Sequence, residues 1–287
     1  NPHIDNIITL PYASKANPWD TIKGLWQFSK QQHSPYDAIF DTQSLIKSGV
    51  ISMLLSGKRI GFHAKGCRER LASICYNKKY ALDYQESIFK RNLFLFLKHY
   101  SNYFKTIQNY TPSDKHLYYS PDAKKTSAQY LDPKKKNILL VPGASSMAKV
   151  YPSTHYANLI DHLDHDKYQC IITWGNDNEH KLAKAIKTYC STNTPTVLPK
   201  RLNFDQLKAL IDHSDLVIGA DTGPVHMAWA LNTPSIVLFA TNNTFASSLR
   251  NHFTTPVNIA ITDVSMDKIK PTTLLETVSS IMQHRQD

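Results

Sequence analysis

The chain has 287 residues, of which 41% are apolar and 20% charged, a composition that excludes a disordered protein and a coiled coil and suggests two domains. Its 33 Lys and Arg residues against 23 Asp and Glu residues give a formal net charge of +10, which favours an anionic partner: a nucleotide, a nucleic acid, a phosphorylated glycan or a membrane surface. No apolar run reaches the roughly 18 residues of a membrane span, and the four cysteines lack the paired spacing of a zinc site.

Short apolar runs alternate with amphipathic ones through the first part of the chain, as expected of β-α-β units. Asn17 and Pro18 form a helix start signal, and Ser56-Gly57 forms a stop signal. The predicted elements of this half are helices over 18–30, 45–55 and 86–103 and strands over 38–40 and 59–62.

Residues 111–136 are rich in Pro, Lys, Tyr and Ser and show no period, so we interpret them as a linker and expect domains over 1–130 and 131–287. Strand and helix alternate again beyond this linker, which is typical of a parallel sheet with helices on both faces. We therefore expect an α/β fold with two doubly wound domains. The predicted elements are strands over 137–141, 169–174, 196–198, 216–219 and 235–239 and helices over 152–163, 178–189, 204–213 and 224–231.

The run from Leu216 to His226 combines a buried strand, a turn and a proline suited to the start of a helix. Ligands of open α/β sheets bind at the carboxyl ends of the strands, where Asp221, Thr222 and Gly223 fall. The N-terminus of the following helix favours a pyrophosphate, Gly223 allows close approach, and Thr222 and His226 add donors. The alternative is that Asp221 caps the helix and His226 is a partly buried structural residue.

A second turn of small residues follows the strand that ends at Val141. Ser145 and Ser146 can donate hydrogen bonds, and Lys149 can place a positive charge beside a phosphate or a departing diphosphate. The spacing is not that of a P-loop, so ATP hydrolysis has no support. The alternative is that Lys149 is one of many solvated surface cations.

Two acidic segments need an interpretation. Glu179 follows a strand end, where a carboxylate can accept the hydroxyls of a ribose, or it can simply stabilise the first turn of its helix. Asp164-His165-Asp166 has a spacing that some metal sites use, but it lies at a helix end and we interpret it as a solvated turn. We therefore expect no metal.

Several motifs together resemble those of glycosyltransferase family 9, the bacterial lipopolysaccharide heptosyltransferases. They are Asp-Thr-Gly-x-x-His over 221–226, Pro-Gly-Ala-Ser over 142–145 and Lys-x-x-Pro over 149–152. Residues 36–48 and 67–78 are similar to the acceptor-side motifs of that family. The resemblance extends over nearly the whole chain.

The resemblance implies a GT-B architecture, in which two Rossmann-like domains face a central cleft, with the donor bound by the second domain and the acceptor by the first. It implies an inverting, metal-independent transfer of heptose from ADP-heptose to a Kdo residue of the lipid A inner core, without a cofactor. Because that acceptor is a lipid of the inner membrane, the resemblance also implies a cytoplasmic enzyme bound peripherally to the membrane. Nucleic acid is not an expected partner.

The resemblance also implies roles for individual residues. Lys149 and Asp221 are the expected catalytic residues, and Lys47, Arg59 and Arg68 are expected to meet the anionic groups of the acceptor. The family's general base is an aspartate in a Gly-Asp loop that has no counterpart in this chain, and we expect it upstream of Asn1. The expected donor-binding residues are Ser145, Ser146, Lys149, Glu179, the backbone of Leu202 facing adenine, Asp221, Thr222, Gly223 and His226.

Other functions are compatible with parts of this pattern. Another member of the family, or another GT-B enzyme such as a nucleotide-sugar epimerase, would share the fold and the diphosphate site. A nucleic-acid-binding protein would explain the positive charge, although the sequence has no recognised motif for it. A non-catalytic module that binds a nucleotide sugar is the third alternative.

Overall fold

The structure is a computed structural model, and it describes residues 5, 7, 18–31, 35–86, 88–101, 117–240 and 258–283. Contacts divide the chain into two compact units, Asn1–Thr111 and Pro112–Asp287. Within the described ranges, none of the helices combines the length and apolar character that a membrane span requires.

The first unit contains a parallel sheet of three described strands. The helix predicted over 45–55 runs only from Ile46 to Met53, so it ends before Ser56 and Gly57. Gly57 instead begins the second strand, with a φ of +149° that favours glycine, and a Cβ there would lie 2.4 Å from the carbonyl oxygen of Tyr36. Two short 3₁₀ helices, Ala64–Gly66 and Arg70–Cys75, lie between the second and third strands. The elements are β1 (Tyr36–Phe40), β2 (Gly57–Phe62) and β3 (Lys78–Tyr80), in that spatial order, with α1 (Pro18–Gln31), α2 (Ile46–Met53) and α3 (Ile88–His99).

The described part of the second unit contains six parallel strands in the spatial order β6-β5-β4-β7-β8-β9. This is the doubly wound Rossmann order, and its direction of winding reverses between β4 and β7. The strands are β4 (Lys136–Val141), β5 (Tyr168–Ile172), β6 (Thr196–Val197), β7 (Leu216–Ala220), β8 (Ser235–Ala240) and β9 (Asn258–Asp263). The helices are α4 (Pro121–Ala128), α5 (Ser153–His162), α6 (Asp177–Tyr189), α7 (Phe204–His213), α8 (Gly223–Ala230) and α9 (Pro271–Gln283).

The central strand β4 is apolar from Ile138 to Val141 because helices cover both faces of the sheet. Ile138 and Leu140 pack with side chains of α5, α6 and α9. Leu139 and Val141 point to the opposite face, where they pack with side chains of α7 and α8. Because β4 and β7 are hydrogen-bonded neighbours in this sheet, their carboxyl ends lie side by side.

The elements predicted between residues 137 and 239 are confirmed to within two residues at each end. The linker prediction is wrong for part of its range, because Ser120 caps α4 and Pro121 starts it. This helix belongs to the second unit: the backbone N–H of Ser120 donates to Asp205 at 3.0 Å and the hydroxyl of Tyr119 donates to Asp212 at 2.5 Å. The predicted domain boundary at residue 130 therefore lies after α4, whereas the contacts place it at Thr111.

Three further differences concern the ends of the predicted pattern. The helix predicted over 86–103 is shorter, from Ile88 to His99, and residues 102 and 103 lie outside the described ranges. The sequence pattern also stopped at residue 239 and missed β9 and α9. The missed helix α9 packs on α5.

Candidate active site

Two loops leave the sheet at the point where its winding reverses. Val141 at the end of β4 pairs with Gly219 near the end of β7, so the loops that follow begin next to each other. The first loop ends in a short 3₁₀ helix, Met147–Lys149, and the second consists of Asp221 and Thr222 before α8. Ligands of doubly wound proteins bind in the crevice outside such a pair of strand ends.

Lys149, Asp221 and His226 form an ionic cluster in this crevice. Nζ of Lys149 lies 3.5 Å from Oδ2 of Asp221, and Nε2 of His226 lies 3.0 Å from Oδ1. The Asp221 side chain is 17% exposed, whereas those of Lys149 and His226 are 37% and 44% exposed. The cluster therefore presents two donors to solvent above a largely buried carboxylate.

The charge state of Asp221 follows from its partners. Burial alone would raise the pKa of this carboxyl group, but the hydrogen bond from His226 and the charges of His226 and Lys149 lower it by more. The net pKa lies below the ordinary value, so Asp221 is ionised at neutral pH.

The N-terminus of α8 opens into the same crevice. Thr222 is the N-cap residue, but its hydroxyl donates to the carbonyl of Ala220 at 3.2 Å and does not cap the helix. A Cβ placed on Gly223 would meet no atom within 4 Å, so the space in front of the first turn is open. Backbone N–H groups at such an uncapped end are suited to bind an anion.

The structural alternative for Asp221 fits less well than the one for His226. The contacts described for the Asp221 carboxylate join it to two side chains and not to the backbone of α8. His226 is exposed over 44% of its side chain, so it is partly buried, as its structural alternative predicts, and the rest of the side chain is open to solvent. Both residues lie where a ligand in the crevice would contact them.

A cavity of about 520 Å³ adjoins this cluster, a size within the usual range for small-molecule sites. Pro224 in the first turn of α8 forms one wall, and Val141 at the end of β4 forms another. Glu179 and Leu202, two of the predicted donor-binding residues, also line it. The structure therefore brings residues from four separate loops to one edge of the sheet.

Glu179 has a structural role of its own. Its Oε2 accepts the backbone N–H of Gly175 at 2.7 Å, and its Oε1 accepts the amide of Asn176, the N-cap of α6, at 2.7 Å. Both roles predicted for Glu179, binding a ribose and stabilising the first turn of its helix, are compatible with this geometry. Each carboxylate oxygen can still accept one more hydrogen bond. A Cβ on Gly143 would lie 2.3 Å from Cδ of Glu179, so the glycine of the Pro-Gly-Ala-Ser turn makes room for this carboxylate.

Sequence reasoning missed two aromatic residues and a cation of the cavity, Trp174, Phe204 and Arg201. The Trp174 ring stacks on His180 with centroids 4.1 Å apart, and its Nε1 donates to the carbonyl of Leu198 at 2.8 Å. Phe204 begins α7 and is 72% exposed. The signal available in the sequence was an aromatic residue at the first position of the helix predicted over 204–213.

Three other residues predicted to bind the sugar donor lie outside the ionic cluster. Ser145 and Ser146 lie exposed in the loop after β4, where the carbonyl of Ser146 accepts the backbone N–H of Lys149 at 3.0 Å. Leu202 is only 7% exposed, and its side chain packs in the core with those of α7 and α8. Its backbone is therefore the part available to a ligand.

The three predicted acceptor residues lie in the first unit. Lys47 on α2 and Arg68 before the second 3₁₀ helix are exposed. Arg59 on β2 is half-buried, and its Nε donates to the carbonyl of Cys75 at 2.8 Å. Arg59 therefore holds the 3₁₀ helix in place, a structural role that the sequence did not reveal.

The acidic turn at Asp164-His165-Asp166 lies at the opposite edge of the second sheet. Its three side chains are close enough to hold a cation, but all are exposed and Asp164 forms an ion pair with Lys167 at 2.9 Å. The turn precedes β5, whereas the crevice lies beyond the carboxyl ends of the strands. This position agrees with a solvated turn.

The fold and the crevice together define a class: an α/β protein with a doubly wound second unit, whose ligand crevice combines an open helix N-terminus, a largely buried carboxylate and two exposed donors. The chain belongs to glycosyltransferase family 9 (heptosyltransferase), whose sequence profile matches residues 25–275. Family membership confirms the predicted class of enzyme, a glycosyltransferase.

Individual relatives agree with this assignment. The chain is 31% identical over 268 residues to lipopolysaccharide heptosyltransferase 1 of Campylobacter coli, which covers 90% of this chain and 74% of that protein. The structure of E. coli heptosyltransferase WaaC with ADP-2-deoxy-2-fluoro heptose has a TM-score of 0.71 at 20% identity, over 93% of this chain and 79% of that one. The structure of E. coli ADP-heptose LPS heptosyltransferase II has a TM-score of 0.68 at 20% identity, and the match covers 92% of this chain and 81% of that one. The predicted GT-B fold is thereby confirmed.

Proposed function

We propose that the protein is an inverting heptosyltransferase that moves heptose from ADP-heptose to a Kdo residue of the lipid A inner core. The observation that carries this proposal is the cluster of Lys149, Asp221 and His226 at the open N-terminus of α8, beside a cavity of about 520 Å³. The relative from Campylobacter coli, named lipopolysaccharide heptosyltransferase 1, supports the same choice.

We propose one orientation for the donor in this site. The adenosine occupies the cavity, where Glu179 accepts ribose hydroxyls and the backbone of Leu202 faces adenine. The diphosphate then lies against Thr222 and Gly223 at the start of α8, with the hydroxyls of Ser145 and Ser146 as further donors. The heptose extends past the cluster toward the acceptor.

The reaction requires charge stabilisation on the leaving group. The acceptor oxygen forms a bond to the anomeric carbon from the face opposite the diphosphate, while the bond from that carbon to the phosphate oxygen breaks and ADP leaves with the electron pair. The acceptor hydroxyl loses its proton to a general base. Lys149 and the helix N-terminus stabilise the charge on ADP, and Asp221 orients Lys149 and His226. The proposed reaction uses neither a metal ion nor a cofactor.

The acceptor side is proposed to use the cations of the first unit. Lys47 and Arg68 are exposed and would bind the carboxylates and phosphates of Kdo-lipid A, with Arg59 in a supporting position. The protein would associate peripherally with the cytoplasmic face of the inner membrane, since each basic residue near an anionic surface contributes about 1 kcal/mol.

The test is a turnover assay on protein expressed from the complete reading frame. ADP release is measured from ADP-heptose with Kdo-lipid A and, separately, with an acceptor that already carries one heptose. We expect turnover with the first acceptor; turnover with only the second would identify the activity as that of heptosyltransferase II, whose fold is also matched. An absence of turnover and of ADP binding would contradict the proposal and favour a different ligand.

The acceptor role has a specific test. Arg68→Ala is expected to raise the KM for Kdo-lipid A more than the KM for ADP-heptose. The reverse result would move Arg68 to the donor side. Salt-dependent retention of duplex DNA or RNA on a filter would instead support the nucleic-acid alternative.

A further inference from the structure

Asp41, at the carboxyl end of β1, is a buried carboxylate that accepts four hydrogen bonds. Its Oδ1 accepts the backbone N–H groups of Gln43 at 2.9 Å and Ser44 at 3.1 Å. Its Oδ2 accepts the hydroxyls of Ser48 and Tyr76, both at 2.7 Å. Burial of a carboxylate is tolerated only when its oxygens are satisfied in this way, and hydrogen bonds to a charged acceptor are the strong ones.

These bonds join parts of the first unit that are distant in sequence. Ser48 lies in the first turn of α2, and Tyr76 follows the 3₁₀ helix Arg70–Cys75. The Tyr76 ring lies against Gly61 of β2, where a Cβ would be 2.3 Å from the ring. Burial and the hydrogen bond to Asp41 raise the pKa of Tyr76, so its hydroxyl stays protonated and remains a donor.

The turn held by Asp41 has a strained backbone. Ser44 has a φ of +57°, an uncommon conformation for a residue other than glycine, and its buried hydroxyl has no hydrogen-bond partner within the described ranges. Such a conformation persists only where the surrounding structure imposes it. Asp41 does so by accepting the N–H groups of both Gln43 and Ser44.

The strained turn also holds the two segments that carry exposed cations. The carbonyl of Ser44 accepts the backbone N–H of Glu69 at 3.1 Å, and Oε2 of Glu69 accepts the backbone N–H of Ile46 at 2.6 Å. Arg68 directly precedes Glu69, and Lys47 directly follows Ile46. The bonds of Asp41 therefore help to hold the backbone next to both cations.

We propose that Asp41 and Tyr76 are positioning residues for the acceptor site, which hold Lys47 and Arg68 together as one anion-binding surface. This inference rests on the proposed function, in which these two cations bind the carboxylates and phosphates of the acceptor. Asp41 and Tyr76 are buried, so they act through Lys47 and Arg68 and not by direct contact.

The test uses Tyr76→Phe, which keeps the ring against Gly61 and removes one bond to Asp41. We expect the KM for Kdo-lipid A to rise about tenfold, the change expected from one hydrogen bond to a charged group, with the KM for ADP-heptose and kcat unchanged within about twofold. Tyr80→Phe is the matched control, because the Tyr80 hydroxyl contacts His99 at 3.3 Å in the same unit. It should leave both KM values unchanged.

A double-mutant cycle separates positioning from simple loss of stability. If Tyr76 acts through Arg68, then Tyr76→Phe should have little further effect on the acceptor KM in an Arg68→Ala background, since residues that act together are not additive. Asp41→Asn should show the same selectivity if it folds. Equal rises in both KM values, an unchanged acceptor KM in Tyr76→Phe, or full additivity with Arg68→Ala would overturn the inference.

These outcomes differ from a failure of the proposed function. If the wild-type protein releases no ADP with Kdo-lipid A, the proposed function and this inference fall together. If the wild-type protein is active and Tyr76→Phe has wild-type kinetics, only the positioning role is contradicted.

Discussion

Lys149 and Asp221 join the two loops that flank the reversal of winding, with Nζ of the lysine 3.5 Å from Oδ2 of the aspartate. The same two strands carry a second pair at their other ends, where Nζ of Lys136 lies 3.4 Å from Oδ1 of Asp215. A lysine–aspartate pair therefore lies at each end of the β4–β7 strand pair, one at the amino ends and one beyond the carboxyl ends. Only the pair beyond the carboxyl ends lies in the crevice. This symmetry provides a control for the catalytic role proposed for Lys149.

Lys149→Ala is expected to lower kcat by about 10²- to 10³-fold, the usual effect of removing one group that stabilises charge on a leaving group. Lys136→Ala removes the equivalent lysine from the opposite edge and should leave kcat unchanged. The measurement is steady-state ADP release at saturating donor and acceptor. A loss of similar size in both variants would show that the lysine at the crevice acts only through stability.

Asp221→Asn is expected to lower turnover strongly while ADP binding is retained. The substitution removes the negative charge that holds Lys149 and His226, the two residues whose donors and charges lower the pKa of Asp221, but it also removes a charge that repels a diphosphate. Calorimetry with ADP and the turnover assay give the two readouts. Loss of ADP affinity in parallel with turnover would instead assign Asp221 to direct ligand binding.

Two glycines of the crevice are expected to respond differently to alanine. A Cβ on Gly223 meets no atom within 4 Å, so Gly223→Ala should leave the free energy of unfolding unchanged and weaken ADP binding by occupying the space in front of α8. A Cβ on Gly143 would collide with Glu179 at 2.3 Å, so Gly143→Ala should lower stability as well. Urea unfolding and ADP calorimetry on both variants check this, and wild-type ADP affinity in Gly223→Ala would place the diphosphate elsewhere.

Much of the second unit was predictable because its periodicity is strong. The run from Leu216 to Gly219 and the helix start at Pro224 are local signals, and both elements form where expected. The helix α4 was missed because it buries little beyond Ala123 and Ser127, so it has no apolar stripe. Its stability comes from contacts with α7 that are distant in sequence, such as Ser120 with Asp205.

The candidate site was only partly predictable for a similar reason. Strand-end motifs identified Lys149, Asp221 and His226, but the sequence suggested that each contacts a ligand separately. The structure shows Asp221 between the other two, an arrangement that depends on the pairing of β4 with β7. The buried contacts of Asp41 are likewise set by tertiary packing and have no local signature.

Leu202 and Phe204 are expected to separate stability from ligand binding. The Leu202 side chain is buried in the core, so Leu202→Ala should lower the free energy of unfolding by about 2–4 kcal/mol. Phe204 is exposed at the cavity, so Phe204→Ala should leave stability nearly unchanged and weaken ADP binding about tenfold through loss of stacking. Urea unfolding and ADP calorimetry distinguish these effects, and a stable Leu202→Ala variant would contradict its placement in the core.

Asp161 is expected to make the free energy of unfolding of the second unit depend on pH in the acid range. Its carboxylate accepts the backbone N–H groups of Ser191 at 2.8 Å, Thr192 at 3.0 Å and Asn193 at 3.0 Å. Burial alone would raise its pKa, but these bonds lower it from 3.8 to about 2. Because the pKa is lower in the folded state, the stabilisation is complete above about pH 4 and is lost as the pH falls toward about 2.

Asp161→Asn should therefore lower the free energy of unfolding at pH 7 by about 1–2 kcal/mol, after allowance for solvent screening. The difference from wild type should shrink between pH 4 and about 2, because the wild-type carboxylate then becomes protonated as well. Asp166→Asn, at a carboxylate that is 84% exposed, is the control and should change little at either pH. Urea unfolding followed from pH 7 down to about 2 provides the measurement. A difference that stays constant over this range would show that Asp161 acts through shape and not through its charge.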